Sequence, residues 1–472
     1  MAKRYPVDET YNLVIIGAGS AGLIAAGFAS RLGTRVALVE KDRIGGDCTW
    51  TGCVPSKALL KAASIAHQAR TAAQYGIQTG GPITVNMSQV SEYVKWAVAE
   101  VYQYETPAQL TQEGIDVIIG EARFLDAHTV QVGERALSAD KFIIATGAQP
   151  RIPDIPGLQD VPFFTYKQIF DNDQLPERLV VMGAGPIGIE MAQAYQRLGS
   201  QVTLVDKNLL SKDEPEAGTV LREVFVREGM QVVSGLVTRV RQERNEVVAS
   251  VYEQEFRGDM LLVAVGRTPI VEGLDLDKAG VTYSRQGIQV NDKLQTSAKH
   301  IYAAGDCLGG YQFTHLAGRQ GFQAVRNALL PGSGSGFGEW VPWTTFTDPE
   351  VAHVGLTEAQ ANDKYGASVR VARWDMDCTD RAVCENDMDG FIKVVHQKDG
   401  TILGATIVAR RAGEAISEFV QALKHGLKVN DIASAIHVYP TYSTAVMQLA
   451  GGVLLDNLFT GISGKVIKRL SR

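Results

Sequence analysis

The chain has 472 residues, enough for several domains with sizeable cores, and its 45% hydrophobic and 21% charged residues are the balance of a globular protein. A formal net charge of −6 leaves no basic footprint for nucleic acid, and no apolar run reaches the roughly 18 residues of a membrane-inserted helix. Five cysteines are too few and too uneven for a secreted disulfide scaffold, and no long apolar stretch precedes the first glycine loop as a signal peptide would, so the expected location is cytoplasmic.

The first element, YNLVIIGAGSAGLIAAGFASRLGTRVALVE, reads strand, tight glycine turn, helix, strand. Gly17 turns the chain, Gly19 lets a pyrophosphate approach, and Gly22 allows close helix–strand packing. Glu40 ends the second strand, 23 residues after Gly17, where a carboxylate accepts hydrogen bonds from a ribose. Strand, helix and terminal acid agree, so this unit is expected to bind a dinucleotide.

Next comes GGDCTWTGCVPSK, with Cys48 and Cys53. Residues five apart on a regular helix have Cα atoms roughly 8.7 Å from each other, whereas a disulfide needs about 4.4–6.8 Å. A Cys48–Cys53 bridge therefore requires a distorted turn, which Gly52 can supply, with regular helix expected only after it. Cys53 then stands at a helix N-terminus near Lys57, and both neighbours favour a thiolate.

Helix is expected over 54–70 and 87–112, then strand over 117–124 and 129–132, then FIIATGAQP. The proline-rich RIPDIPG reads as a domain crossing. A second βαβ unit, RLVVMGAGPIGIEMAQAYQRLGSQVTLVD, follows roughly 165 residues after the first, with Gly183, Gly185 and Gly188 in the turn and Asp206 ending the strand. An acid there favours a free ribose hydroxyl and repels a 2′-phosphate, which leans to NADH, although Lys207 and Lys212 stand close by.

After LLVAVGRTPI and HIYAAGDC, a helix is expected over 318–330 and a linker at PGSGSGFG. From Trp340 the pattern changes to strands over 341–346, 368–374, 390–396 and 402–408, with helices over 414–425 and 444–449. The fold class is therefore α/β, with two Rossmann-type nucleotide-binding domains and a C-terminal α+β domain assigned to dimerisation. The expected domains are 1–150 and 273–338 for the first nucleotide, 151–272 for the second, and 339–472 for the interface.

In order and wording these motifs resemble the class I pyridine nucleotide–disulfide oxidoreductases, which include dihydrolipoamide dehydrogenase, glutathione reductase and mercuric reductase. The resemblance rests on the first glycine loop, C-x4-C with VPSK, ATG at 145–147, the second glycine loop, VGRTP at 265–269 and AAGDC. It implies FAD along the first unit, at Gly17, Gly19, Gly22, Glu40, Thr146, Gly147, Gly266, Arg267 and Gly305, with Asp306 on the ribityl chain. It implies NAD(P)H on the second unit, and Lys57 near the flavin ring, paired with Glu190 beside the nicotinamide. It also implies a homodimer whose active sites are completed by the partner's C-terminal domain. In the implied chemistry a hydride passes from NAD(P)H to FAD and on to a Cys48–Cys53 disulfide, with Cys53 the thiolate against the flavin and Cys48 the outer interchange thiol.

The sequence departs from the disulfide reductases in its C-terminal domain. Those enzymes carry His-Pro-Thr, with a Glu five residues after the His; here the run is HVYPTYST, with Tyr439 at the His position and Thr444 at the Glu position. A phenol with a reference pKa near 10 is a poor proton shuttle at neutral pH, and loss of a general acid–base costs about 10²–10⁴-fold. Tyrosine at this position is similar to mercuric reductases, and a thiolate-bound metal ion needs no proton delivered to a leaving thiol. Mercuric reductases also carry a C-terminal vicinal cysteine pair, whereas no cysteine follows Cys384 here. The reading is a mercuric-reductase-like oxidoreductase acting on a small-molecule, disulfide or metal-ion acceptor. The alternatives are a dihydrolipoyl dehydrogenase-like disulfide reductase, a diaphorase, or a thiol redox sensor.

Of the other cysteines, Cys307 is expected to serve packing, and Cys378 and Cys384 flank TDRAV as plain or auxiliary thiols. The segment 453–472 reads as a dimer-edge helix, with Lys465, Lys468, Arg469 and Arg472 as an alternative membrane-surface face.

Overall fold

A computed structural model describes residues 7–459, so the basic residues of the C-terminal tail lie outside the described residues. The chain divides into two compact units, one of 1–176 and 260–338, the other of 177–259 and 339–472.

The first unit is built on a seven-stranded sheet. Strands Ile115–Ile119, Val36–Glu40, Glu9–Ile16 and Arg135–Ile144 run parallel in that order, and Ile301–Ala303 joins the last in parallel. Thr129–Val132 and Ala122–Asp126 complete it as antiparallel strands. Leu13, Ile15, Val36, Leu38 and Ile143 are almost wholly buried on one face, and Val14, Ile16, Phe124 and Phe142 on the other. A sheet covered on both faces explains the near-continuous apolar runs in its strands.

Helix Ser20–Arg31 packs on helix Thr314–Leu329. The approach is close enough that a Cβ on Gly321 would lie 2.1 Å from the Ala21 carbonyl oxygen. The second of these helices begins four residues before the expected Gly318, which puts Thr314 in its first turn. The helix expected over 87–112 is two, Met87–Tyr102 and Pro107–Gln112, because Thr106 caps a fresh helix at the Gln109 amide. The strand expected over 117–124 is likewise broken, at Gly120, whose φ is +157°.

In the second unit, strands Gln231–Ser234, Gln201–Asp206 and Arg178–Met182 run parallel. A three-stranded antiparallel sheet over Arg239–Gly258 follows, which the sequence pattern did not reveal. The C-terminal part is a five-stranded antiparallel sheet backed by helices Ala412–His425 and Tyr442–Phe459. Its strand Glu350–Gly355 was also unexpected. Phe419, Ile416, Ile392 and Val446 lie in its core. Alternation of βαβ units with a segregated α+β sheet is the expected fold class.

Candidate active site

The first glycine turn is dictated by sterics. Gly17 sits at φ +105°, and a Cβ there would lie 2.3 Å from the Ala145 carbonyl oxygen; a Cβ on Gly22 would lie 1.8 Å from the Gly17 oxygen. Gly19 differs: its nearest neighbour would be Gly46 Cα at 3.8 Å, so the backbone there stays open. Gly19 caps helix Ser20–Arg31 without a side-chain hydrogen bond, leaving the helix amides to point at an anion. Glu40 is pinned by the amides of Ala18 at 2.7 Å and Asp42 at 2.8 Å. An open glycine, uncapped amides and a fixed carboxylate fit the diphosphate and ribose of FAD.

The second unit repeats this arrangement. Gly183 has φ +107°, Gly185 has open space within 4 Å and caps helix Pro186–Leu198, and Gly188 is buried inside that helix. Asp206 accepts the amides of Ala184 and Lys207, both at 2.7 Å.

The remaining first-unit motifs converge by pairing. Ala148–Pro150 and Arg267–Pro269 form a two-stranded antiparallel ribbon. Thr146 donates its hydroxyl to the Ile270 carbonyl at 2.7 Å, and the Arg151 amide reaches Gly266 at 3.0 Å. Gly147 and Gly266 both hold positive φ. The Gly305 amide is bound by Gln320 at 2.8 Å, and the half-buried Asp306 next to it meets Arg267 at 2.5 Å. Burial pushes the Asp306 carboxyl up from its ordinary value, opposed by Arg267.

Cys48 lies in the short helix Gly46–Trp50, and Cys53 opens helix Cys53–Thr71, which also carries Lys57. Gly52 between them has φ −136° and ψ −112°, and a Cβ there would lie 2.7 Å from the Asp47 oxygen, so the distorted turn depends on glycine. The two cysteines are free thiols within hydrogen-bond reach of each other. The Cys53 sulfur, followed by burial, pushes the Cys48 thiol up from its ordinary value. Thr314 brings its hydroxyl 3.2 Å from the Cys53 sulfur and also bonds Cys48. Sequence reasoning missed Thr314 because the helix start was placed too late.

Glu190 is buried in the second unit, its Oε1 accepting the Phe346 amide at 2.9 Å. Tyr439 is 64% exposed, and its hydroxyl donates to Asp380 at 2.5 Å, which raises its pKa further. Thr444 donates to the Val438 carbonyl at 2.9 Å and bonds Thr441 at the start of its helix. The nearby His437 has both ring nitrogens facing acceptors, Glu418 at 2.8 Å and the Ala435 carbonyl at 3.1 Å. Cys307 is fully buried against the Ala304 and Ile144 carbonyls, while Cys378 and Cys384 are exposed. No helix among the described residues is long and apolar enough to cross a membrane.

The pyridine nucleotide-disulphide oxidoreductase family model matches residues 11–321, and that family's dimerisation domain matches residues 341–450. The mercuric reductase of Staphylococcus aureus is 36% identical over 444 residues, 92% of this chain and 81% of that protein. The dihydrolipoyl dehydrogenase of Haloferax volcanii is 35% identical over 469 residues, 95% of this chain and 97% of that protein. Among solved structures, a Cu(II) complex of the HOCl-induced flavoprotein disulfide reductase RclA from Escherichia coli has a TM-score of 0.84 at 27% identity, covering 93% of this chain and 99% of that one. Two glycine cradles, a thiol pair and a dimerisation domain in this order make the chain a member of the pyridine nucleotide-disulphide oxidoreductases, FAD- and NAD(P)H-dependent enzymes.

Proposed function

We propose that this enzyme takes electrons from NADH and delivers them through Cys48 and Cys53 to a thiol-bound soft metal ion, working as a cytoplasmic homodimer. The observation that carries this reading is the state of the two positions where a disulfide reductase keeps its proton-delivering pair. Tyr439 is committed to Asp380, and Thr444 is committed to the Val438 carbonyl. The relatives named mercuric reductase, and the solved Cu(II) complex of a structural neighbour, support the choice of a metal.

When bound, FAD supplies the two-electron relay between the nicotinamide and the thiol pair. Glu40 and the open backbone at Gly19 would hold its ribose and diphosphate, and Asp306 with Arg267 its ribityl region. In this reading Cys53 is the thiolate against the flavin, Cys48 is the outer thiol, and Lys57 stands near the flavin ring.

The proton balance favours a metal. When Cys48 displaces a small-thiol ligand from Hg(II), a sulfur–metal bond forms, another breaks, and the Cys48 proton leaves on the departing thiol. Two electrons then convert Hg(II) to Hg(0), so that NADH and Hg(II) give NAD⁺, a proton and Hg(0). Disulfide interchange instead requires a group that holds the proton between attack and departure.

The test is anaerobic NADH consumption with Hg(II) in excess small thiol, compared with oxidised lipoamide. Dihydrolipoyl dehydrogenase relatives match along almost their whole length, which makes lipoamide the competing acceptor. The expected outcome is turnover with Hg(II), at least about 10²-fold slower turnover with lipoamide, and loss of metal reduction in Cys48→Ser. Fast lipoamide turnover overturns the metal reading. Undiminished metal reduction by Cys48→Ser removes the thiol pair from the pathway.

A further inference from the structure

Asp47 immediately precedes Cys48, and its carboxylate meets Arg267, Tyr166, Lys167 and Thr51. Arg267 reaches Oδ2 at 2.6 Å, and the Tyr166 hydroxyl donates to the same oxygen at 3.0 Å. Lys167 pairs with Oδ1, and the Thr51 hydroxyl donates to it at 3.2 Å. Arg267 also binds Asp306 at 2.5 Å, so one guanidinium ties the thiol turn to the AAGDC motif. All of these residues belong to the first compact unit.

The turn needs such an anchor. Gly46–Trp50 is a five-residue helix, too short to hold itself by propagation. Gly45 leads into it at φ +103°, Gly46 opens it at +58°, and Gly52 just beyond it is in a distorted conformation. Burial pushes the Asp47 carboxyl up, but Lys167 and Arg267 outweigh it and hold the group below the ordinary carboxylate range. Asp47 is therefore ionised and clamped. Charge-assisted bonds of this kind are about twice as strong as neutral ones.

We propose that Asp47 is a positioning residue for the redox pair: held by Arg267 and Lys167, it keeps the Cys48 main chain within closing distance of Cys53 and so favours the disulfide. This rests on the reading of Cys48 and Cys53 as the redox-active pair. Closing the pair converts two thiols and one external disulfide into the Cys48–Cys53 disulfide and two external thiols, with two electrons passing outward. A clamped turn raises the effective concentration of one thiol at the other. Losing the carboxylate frees the turn and also removes the negative charge opposite Lys167 and one of the two opposite Arg267, which stabilises a nearby thiolate. Both effects shift the equilibrium toward the dithiol.

The experiment equilibrates the flavin-loaded enzyme with graded dithiothreitol redox buffers and counts alkylated thiols by mass. Asp47→Asn is expected to lower the equilibrium constant for disulfide formation about tenfold, equivalent to ~30 mV. Lys167→Met is expected to move it the same way by a smaller factor. An Asp47→Asn equilibrium equal to wild type overturns the proposal, because a merely structural role would alter unfolding without moving this constant. If Asp47→Asn does not fold, an unshifted Lys167→Met overturns it instead. Cys48→Ser separates the two levels: a two-electron thiol couple that survives that change sinks the reading of the pair itself.

Discussion

The Ala184 amide donates to the Asp206 carboxylate at 2.7 Å, the distance at which the Ala18 amide meets Glu40 in the other nucleotide unit. In each unit a second amide, from Lys207 or Asp42, binds the other oxygen. Both acids are therefore fixed at the ends of their strands.

A fixed carboxylate repels the 2′-phosphate of NADPH. Asp206→Asn should lower kcat/KM for NADH by about tenfold and raise that for NADPH. Steady-state kinetics with both coenzymes checks this, and a wild-type enzyme that already prefers NADPH contradicts it.

Tyr439 stands where disulfide reductases of this family place a histidine, with its hydroxyl bound by Asp380. Tyr439→His should raise oxidised-lipoamide turnover by about tenfold or more, since an imidazole titrates near neutrality and a phenol does not. Metal reduction should change by less than about twofold in the same variant. An unchanged lipoamide rate means that proton delivery is not the limit.

Lys393 is 3% exposed and lies 3.1 Å from Glu214, 2.6 Å from Glu216 and 2.7 Å from Glu358. Burial alone would lower its pKa, but the three carboxylates together raise it. Lys393→Met leaves the buried Glu214 without its cation and should cost about 3–5 kcal/mol in urea unfolding. Adding Glu214→Gln should restore part of that loss, because the uncompensated charge is then gone. A single variant as stable as wild type refutes this account.

Glu350 is held by burial at a pKa raised to about 7, while the Gly413 amide at 2.8 Å partly opposes the shift. The folded state thus binds more protons than the unfolded state between the ordinary carboxylate range and about pH 7. Stability contributed by this group falls as pH rises through that window. Glu350→Gln keeps an acceptor for Gly413 and should be more stable than wild type at pH 8, by on the order of 1–2 kcal/mol. The difference should vanish near pH 4. Thermal melts of both proteins across pH 4–8 test the sign.

The glycine loops and the thiol pair were legible because each is dictated within a short window. Gly17 must be glycine because a Cβ would enter the Ala145 carbonyl, and a strand with apolar residues on both faces declares itself by composition alone. The substitution of Tyr439 and Thr444 was equally visible, since it is a matter of residue type at a given spacing.

Other features depended on where distant segments meet. Nothing in the local pattern marks Glu350–Gly355 as a strand apart from its neighbours, or separates Arg239–Gly258 into three. Helix Thr314–Leu329 begins four residues before the expected Gly318 and packs through Gly321 on Ala21, and that long-range placement is what sets Thr314 beside Cys53. Sequence by itself determined the two nucleotide cradles, the thiol pair and the C-terminal departure, because backbone sterics and residue chemistry act locally. Tertiary structure alone decided that Asp47, Arg267 and Asp306 form one charged chain, because ion pairs between residues so far apart in sequence leave no periodic trace in it.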